Sequence, residues 1–405
     1  MTTKNKENIV ILGGGFGGVT VAKGLASNKF ITDNYEILLI SNLSKLLFTP
    51  SLYEFATAGE NKSNVTVSLS QIFKNTSVKI IQEHAIKIDS EQKVVYFKDD
   101  VKYEFSFLVI AVGSIVNDRG IPGLKEHAHY FKTLEDARKI KSDIYKMAID
   151  SHGEKDIRIV IGGAGYTGVE ISSEMVDYVS EIALKLDIAG NKFKLSLIST
   201  SNQLFKELNS DINTVAKYRL SKLGVEVIEN ARILKLGTNN VETVNSLNIP
   251  FDIFIWTGGV KGPLLIKNSI FKAQDYSISD KVIVNNFLQV DGYERIFACG
   301  DCAQIFTSDM PMLAEVAINE GKIICSNIES VIRGNRLKQY KLKLLGVIVP
   351  MSKPYSYADL GKIQVKGVFG YFLQKMVYLL FLLEVLPIHK AFWKWFKYIK
   401  YLMAN

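Results

Sequence analysis

The sequence predicts an α/β protein with two Rossmann-like dinucleotide-binding domains and a helical, basic C-terminal region. Three observations carry this. A glycine-rich turn behind a short apolar run occurs twice, beginning at Gly13 and at Gly163, 150 residues apart. The buried-strand pattern FLVIAVG (Phe107–Gly113) has a counterpart in IFIWTG (Ile253–Gly258). Charge is unevenly spread: from Val331 onward there are 13 Lys+Arg against two acids, while the preceding 330 residues hold 36 Lys+Arg and 39 Asp+Glu.

Length and composition agree. At 405 residues the chain exceeds what one core usually serves. With 22% charged and 47% hydrophobic residues it is an ordinary folded chain, neither disordered nor low-complexity. Three cysteines, Cys299, Cys302 and Cys325, cannot form a disulfide framework and fit a reducing compartment. No apolar stretch precedes Ile9, so no signal peptide is expected. The five scattered histidines suggest no metal site.

In order, Asn8–Gly18 (NIVILGGGFGG) reads as a strand, a glycine turn and a helix start, and Tyr35–Ile40 as the second strand. Phe107–Gly113 is a buried strand ending in glycine. Ile157–Gly168 (IRIVIGGAGYTG) repeats the opening unit, with strands at Lys194–Ile198, Glu226–Ile228 and Ile253–Gly258 behind it. Arg295–Ala303 (RIFACGDCA) is a strand running into Gly-Asp, and Leu313–Ile332 has helical spacing. Lys341–Tyr357 is strand and turn. From about Lys366 the chain is helical, broken by Pro387.

Gly13, Gly15 and Gly18 make a G-x-G-x-x-G, as do Gly163, Gly165 and Gly168. The first glycine makes the tight turn, the second lets backbone N–H groups reach a pyrophosphate, and the third lets helix pack on strand. The helix N-terminus favours the anion. Two such turns imply two nucleotides, and a flavin with a nicotinamide cofactor is the economical pair, since hydride passes between their rings. The acid expected to grip a ribose is missing in both halves: the second strands end in Ser41 and Ser199. This leaves FMN open beside FAD, and NADPH beside NADH.

On these and four further segments the chain resembles the type II NADH:quinone oxidoreductases, within the two-dinucleotide-binding-domain flavoproteins. The segments are LLFTPSLYEFATAG (Leu46–Gly59), GGAGYTGVEISSE (Gly162–Glu174), IFIWTGGVKGPLL (Ile253–Leu265) and RIFACGDCA. The resemblance implies a flavin domain over 1–115 and 285–345, an inserted NAD(P)H domain over 116–284, and an amphipathic helical membrane-association region over 346–405. It implies flavin contacts from Gly13, Gly15, Gly17, Gly18, Ser41, Thr49, Gly113, Gly300, Asp301 and Ala314. NADH would be held by Gly163, Gly165, Thr167, Gly168, Glu170, Ser199, Gly258 and Gly259. Glu170 would lie near the nicotinamide and flavin rings and take part in proton transfer; its alternative is a helix N-terminal acid complementing the dipole.

Met312–Gly321 (MLAEVAINEG) corresponds to the family's quinone-proximal helix, which usually carries A-Q-x-A-x-x-Q; here Glu315 and Glu320 stand in place of the glutamines. Either they are buried and favour the neutral form near the flavin, giving Glu315 a catalytic role, or they are surface acids. With Pro50 they are the candidate quinone residues.

The tail fits a quinone partner. Phe369–Leu386 is apolar except for Gln374, Lys375 and Glu384, and its charges argue against a membrane span. Over Ile388–Met403, Lys390, Lys394, Lys397 and Lys400 share a face beside Phe392, Trp393, Phe396, Ile399, Tyr401 and Met403. A basic stripe beside aromatics suits a helix lying on an anionic membrane surface. The expected setting is peripheral, on the cytoplasmic face of the cell membrane. Nucleic acid is not expected, because the tail is also strongly apolar; a homodimer stays open. Two alternatives compete: a sulfide:quinone oxidoreductase, which needs sulfur-carrying cysteines, and a non-catalytic flavin-binding redox sensor. Dithiol chemistry after the first turn is excluded, since residues 19–100 hold no cysteine.

Overall fold

The structure is a computed structural model describing residues 6–57, 65–205, 210–269, 271, 280–306 and 311–404. Ala58 and Gly59, and the side chains of Tyr401 and Met403, lie outside the described set.

The principal elements, in chain order, are β1 (Glu7–Leu12), α1 (Phe16–Ala26), β2 (Tyr35–Ser41), α2 (Leu52–Thr57), β3 (Lys79–Gln82) and β4 (Phe107–Ile110). Next come β5 (His129–Tyr130), α3 (Leu134–Ser151), β6 (Ile157–Gly162), α4 (Tyr166–Leu186), β7 (Phe193–Ile198), α5 (Ser210–Lys222), β8 (Val225–Ile228) and β9 (Ile253–Trp256). The chain finishes with β10 (Ile296–Ala298), α6 (Ala314–Arg333), β11 (Val347–Pro350), β12 (Ser356–Asp359), β13 (Gln364–Gly367), α7 (Val368–Val385) and α8 (Ile388–Ala404).

Two compact units result. The first comprises Met1–Phe48, Thr66–Ile115 and Val260–Leu344; the second comprises Thr49–Val65, Val116–Gly259 and Leu345–Asn405. The sequence boundaries cut differently. Residues 260–284 group with the first unit because the strand Val282–Val284 pairs in parallel with Ala303–Ile305. The C-terminal region groups with the second unit, where α7 packs on β12 and α8.

The first unit is built on a five-stranded sheet in the order β10-β4-β1-β2-β3, all pairs parallel. Ile9, Val10, Ile11 and Leu12 are all buried, as are Phe107–Ile110. Both faces of these strands are covered, which is why they read as unbroken apolar runs rather than alternating ones. Each such side chain contributes about 1.5–3 kcal/mol by leaving water. β1 has β2 on one side and β4 on the other, so the chain order reverses at β1. That reversal opens a crevice at the strand's C-terminal end, the usual ligand position in such sheets.

The second unit repeats the plan with the order β5-β9-β6-β7-β8, again parallel. Its reversal falls at β6. Its core gathers Val160, Ile198, Phe251, Phe254 and Trp256 beside the small antiparallel sheet that carries Val241. α3 starts on a capping box in which the Thr133 hydroxyl accepts from Asp136 N and the Asp136 carboxylate from Thr133 N. The antiparallel β11-β12-β13 sheet and the helices α7 and α8 complete this unit.

Candidate active site

In the first unit, Gly13 follows β1 at φ +109 and donates its N–H to Ile40 O at 2.8 Å. A Cβ on Gly13 would lie 2.1 Å from Ala111 O, so only glycine fits between the ends of β1 and β4. A Cβ on Gly18 would lie 1.9 Å from Gly13 O, so α1 starts flush against the turn. Gly15, the N-cap of α1, faces open space, as does Gly113 past the end of β4. Bare backbone bordering an open crevice at a helix N-terminus fits the pyrophosphate of a flavin dinucleotide. Gly17 is buried under the Cys299 thiol.

Ser41 is buried at the end of β2 and borders the turn: a Cβ on Gly14 would lie 2.8 Å from its Oγ. That hydroxyl accepts from Leu43 N at 3.2 Å. Gly300 (φ +72) and Asp301 form a short 3-10 turn after β10, where the Ser114 hydroxyl donates to Asp301 Oδ2 at 2.6 Å. Ala314 is the first residue of α6 and half-buried Glu315 the second. Glu320 is buried, and its Oε2 accepts from Gly300 N at 2.6 Å. Burial pushes its carboxyl up to about 7, against the pull of the Gly300 N–H. Of the paired candidates, Glu320 thus serves the Gly300–Asp301 turn, while Glu315 stays in the first helical turn.

The second unit reproduces the turn. Gly163 (φ +113) donates to Ile198 O at 3.1 Å, and a Cβ there would lie 2.7 Å from Gly258 Cα. A Cβ on Gly168 would lie 1.8 Å from Gly163 O, and Gly165 faces open space. Thr167 is exposed beside them, and Ser199 is buried at the end of β7. Thr257 Oγ1 donates to Gly163 O at 2.7 Å and ties the two strand ends together. Arg119 Nε donates to Gly258 O at 2.6 Å and places an exposed guanidinium beside Gly258–Gly259. This fits a second dinucleotide, with a cation that sequence reasoning missed.

One turn along α4 the chemistry changes. Glu170 is half-buried and Glu174 is 2% exposed, on one helix face at i and i+4. Desolvation raises both carboxyls, and each is raised further by the charge of Glu54; for Glu174 the result is about 8. Glu54 sits on α2 and is itself buried. Lys375 Nζ on α7 pairs with Glu54 Oε1 at 2.6 Å, and the Tyr398 hydroxyl on α8 donates to Glu54 Oε2 at 2.6 Å. Tyr53 OH donates to Glu54 Oε1 at 3.1 Å and accepts from Gln374 Nε2. Lys375 also lies 4.4 Å from the Tyr371 ring centroid.

Glu54, Glu174, Lys375 and Tyr398 were not among the sequence candidates. A signal existed: a carboxylate inside LYEFA and a lysine inside an apolar helix must each find a partner when buried. Thr49 and Pro50 are exposed in the 3-10 turn that leads into α2.

Burial disfavours the thiolate form at all three cysteines. Burial raises Cys299 well above the usual thiol range and pushes Cys302 and Cys325 up to about 12. Among the described residues no cluster of His, Cys, Asp and Glu could hold a metal ion. α7 is long and apolar enough to cross a membrane by length and composition. The Lys375–Glu54 pair and the buried Tyr378 and Leu382 tie it instead to the second unit. Phe369, Phe372, Leu380, Ile388, Trp393 and Phe396 remain exposed on α7 and α8.

Two glycine-turn sheets in one chain define a two-dinucleotide oxidoreductase. A profile of that class, described as pyridine nucleotide-disulphide oxidoreductase, matches residues 7–321, and the chain belongs to this family. Among curated proteins it is similar to a probable NADH dehydrogenase of Dictyostelium discoideum, 27% identical over 92% of this chain and 85% of the relative. It is also similar to the type II NADH:quinone oxidoreductase of Staphylococcus aureus, at 24% identity over 84% of this chain and 86% of the relative. In fold it matches the NDH2 structure from Plasmodium falciparum in complex with NADH, with a TM-score of 0.86, 19% identity and 97% of both chains covered. The sulfide:quinone oxidoreductase of Aquifex aeolicus matches at a TM-score of 0.77 and 20% identity, over 94% of this chain and 91% of that one.

Proposed function

We propose that the chain is a single-subunit, non-proton-pumping NADH:quinone oxidoreductase carrying FAD. The observation that carries this reading is the pair of matched glycine turns, one of which opens a helix bearing the high-pKa acids Glu170 and Glu174. The first turn, with Gly300, Asp301 and Gly113, would hold the flavin; the second, with Thr167, Ser199, Gly258 and Gly259, would hold NADH. A bound flavin would supply a two-electron relay from nicotinamide to quinone.

The protein's part is positioning and protons. Hydride brings two electrons and one proton, so forming a quinol needs one further proton. Glu170, whose carboxyl burial raises well above the usual range, would give it, and Glu174 one turn on would refill it. The α6 N-terminus at Ala314 would stabilise negative charge on a reduced flavin. Pro50 and Glu315 are the proposed quinone contacts.

The exposed aromatics of α8 with Lys390, Lys394, Lys397 and Lys400 would seat the chain peripherally on an anionic membrane surface, on the cytoplasmic face. Sulfide oxidation is disfavoured by the raised thiols.

The test is anaerobic. Stoichiometric NADH should bleach the flavin absorbance of the detergent-purified protein, and a short-chain quinone should restore it. Bleaching by sulfide with no response to NADH would sink the reading.

A further inference from the structure

Glu320 is not needed for the chemistry above, yet it is built into the first unit with care. It lies on α6, almost fully buried, with its Oε2 2.6 Å from Gly300 N. Gly300 has a left-handed backbone, and a Cβ there would meet nothing nearer than Ala317 Cβ at 3.4 Å. The turn is held by the buried Cys302 and by two side-chain hydrogen bonds, Ser114 to Asp301 Oδ2 and Gly300 N to Glu320 Oε2, of which only the second involves a buried carboxyl. The next residue is Asp301, and Lys281, Gly300, Asp301, Leu313 and Glu320 line a water-sized cavity at this point.

The charged and titratable surroundings are these. Asp301 on the 3-10 turn repels a Glu320 carboxylate, and Lys281 attracts it. The neutral Cys299 and Cys302 thiols and the Tyr340 phenol feel its charge, and the buried Tyr340 hydroxyl has no hydrogen-bond partner. α1 offers this stretch of α6 the Gly17 carbonyl and Thr20.

We propose that Glu320 is a positioning residue that takes up one proton when the anionic flavin dinucleotide settles against Gly300–Asp301, so that flavin retention is coupled to pH. This rests on the reading that the first unit holds a flavin. Like charge is the cause. The dinucleotide adds negative charge where Asp301 already stands, and a second buried carboxylate ion beside it is disfavoured. A protonated Glu320 still accepts from Gly300 N through its carbonyl oxygen, so the turn keeps its shape. The balance is simple: one proton leaves solvent for Glu320, and no covalent bond changes.

That balance sets the direction of the pH effect. Burial already pushes the Glu320 carboxyl up to about 7, and a bound anion would move it higher. Below that point both states are protonated and affinity is flat. Above it, binding must draw a proton from solvent, so the dissociation constant rises by up to about tenfold per pH unit.

The experiment uses the full chain in mild detergent, stripped of flavin and titrated with FAD by fluorescence quenching between about pH 6 and 9. Wild type should weaken with pH as stated, while Glu320→Gln should bind with no pH slope. Glu320→Leu, which removes the bond to Gly300, should bind poorly at every pH, and Glu320→Gln keeps the test valid if that variant misfolds. Equal slopes in wild type and Glu320→Gln, or a flat wild type, would overturn the proposal while leaving the flavin reading intact. Wild type that binds no FAD at any pH would overturn both.

Discussion

The two glycine turns are close copies in backbone, but the helices they open carry different chemistry. Gly13 and Gly163 sit at φ +109 and +113, and the N-caps Gly15 and Gly165 at φ −82 and −83. Shifted by the 150-residue offset, Gly17, Thr20 and Gly24 of α1 correspond to Thr167, Glu170 and Glu174 of α4. In the first unit these small residues let α6 approach: Gly321 meets the Gly17 carbonyl and Thr20, and Gly24 meets Cys325. In the second unit the same helix face carries two acids instead. The turn and helix start are thus a fixed solution, while the face one turn on is free to carry either small packing residues or buried acids.

The largest effects should come from breaking the shared part. Gly18→Val should abolish flavin binding and leave NADH binding to the second unit, and Gly168→Val should do the reverse, because each added side chain runs into the first glycine's carbonyl. Flavin absorbance and NADH titration of both variants check this. If either variant loses both ligands while remaining folded, the two turns are not independent.

Next comes the support of the acidic face. Lys375→Met strands Glu54 as a buried charge without its cation and should cost about 3–5 kcal/mol in urea unfolding. Glu54→Leu with Lys375→Met should recover most of that loss, and failure to recover would mean that the pair has another structural duty.

Glu170→Gln should slow quinone-linked turnover about a hundredfold, with anaerobic bleaching by NADH unchanged. Loss of the bleaching step instead would make Glu170 a nicotinamide contact.

The last comparison is of stability against pH. The Glu174 carboxyl is raised to about 8 when folded, above its unfolded value. Its contribution is fully present below the unfolded value and declines as pH rises towards 8, by at most about 1.4 kcal/mol per pH unit. Glu174→Gln should remove this slope in a denaturant series.

Much of the fold was legible because its needs are local. A strand covered on both faces must be apolar throughout, and FLVIAVG and IFIWTG say so without any partner being known. Gly13, Gly18 and Gly168 are dictated by carbonyl oxygens about 2 Å from where a Cβ would be, and Gly163 by its φ of +113 against the Gly258 backbone. At the candidate site the strand ends and the glycine turns were legible to the same depth, as was the placing of Glu170 on the helix and Asp301 on the turn. Lys375, by contrast, reads in the sequence only as a charge interrupting an apolar run. Its partner Glu54 lies 321 residues away, and no periodicity links them. Glu315 and Glu320 look alike in the sequence as members of one motif, yet one is half-buried and the other is bonded to Gly300 N.

Backbone sterics and burial act within a few residues, so the amino-acid order alone settles the two dinucleotide turns, the strands that carry them and the basic aromatic tail. Long-range packing settles the rest: that Glu54, Lys375 and Tyr398 share one buried site, and that Glu320 serves the Gly300 turn. Which side chains become neighbours across hundreds of residues is set by how helices pack, and a buried charge takes its meaning from those neighbours.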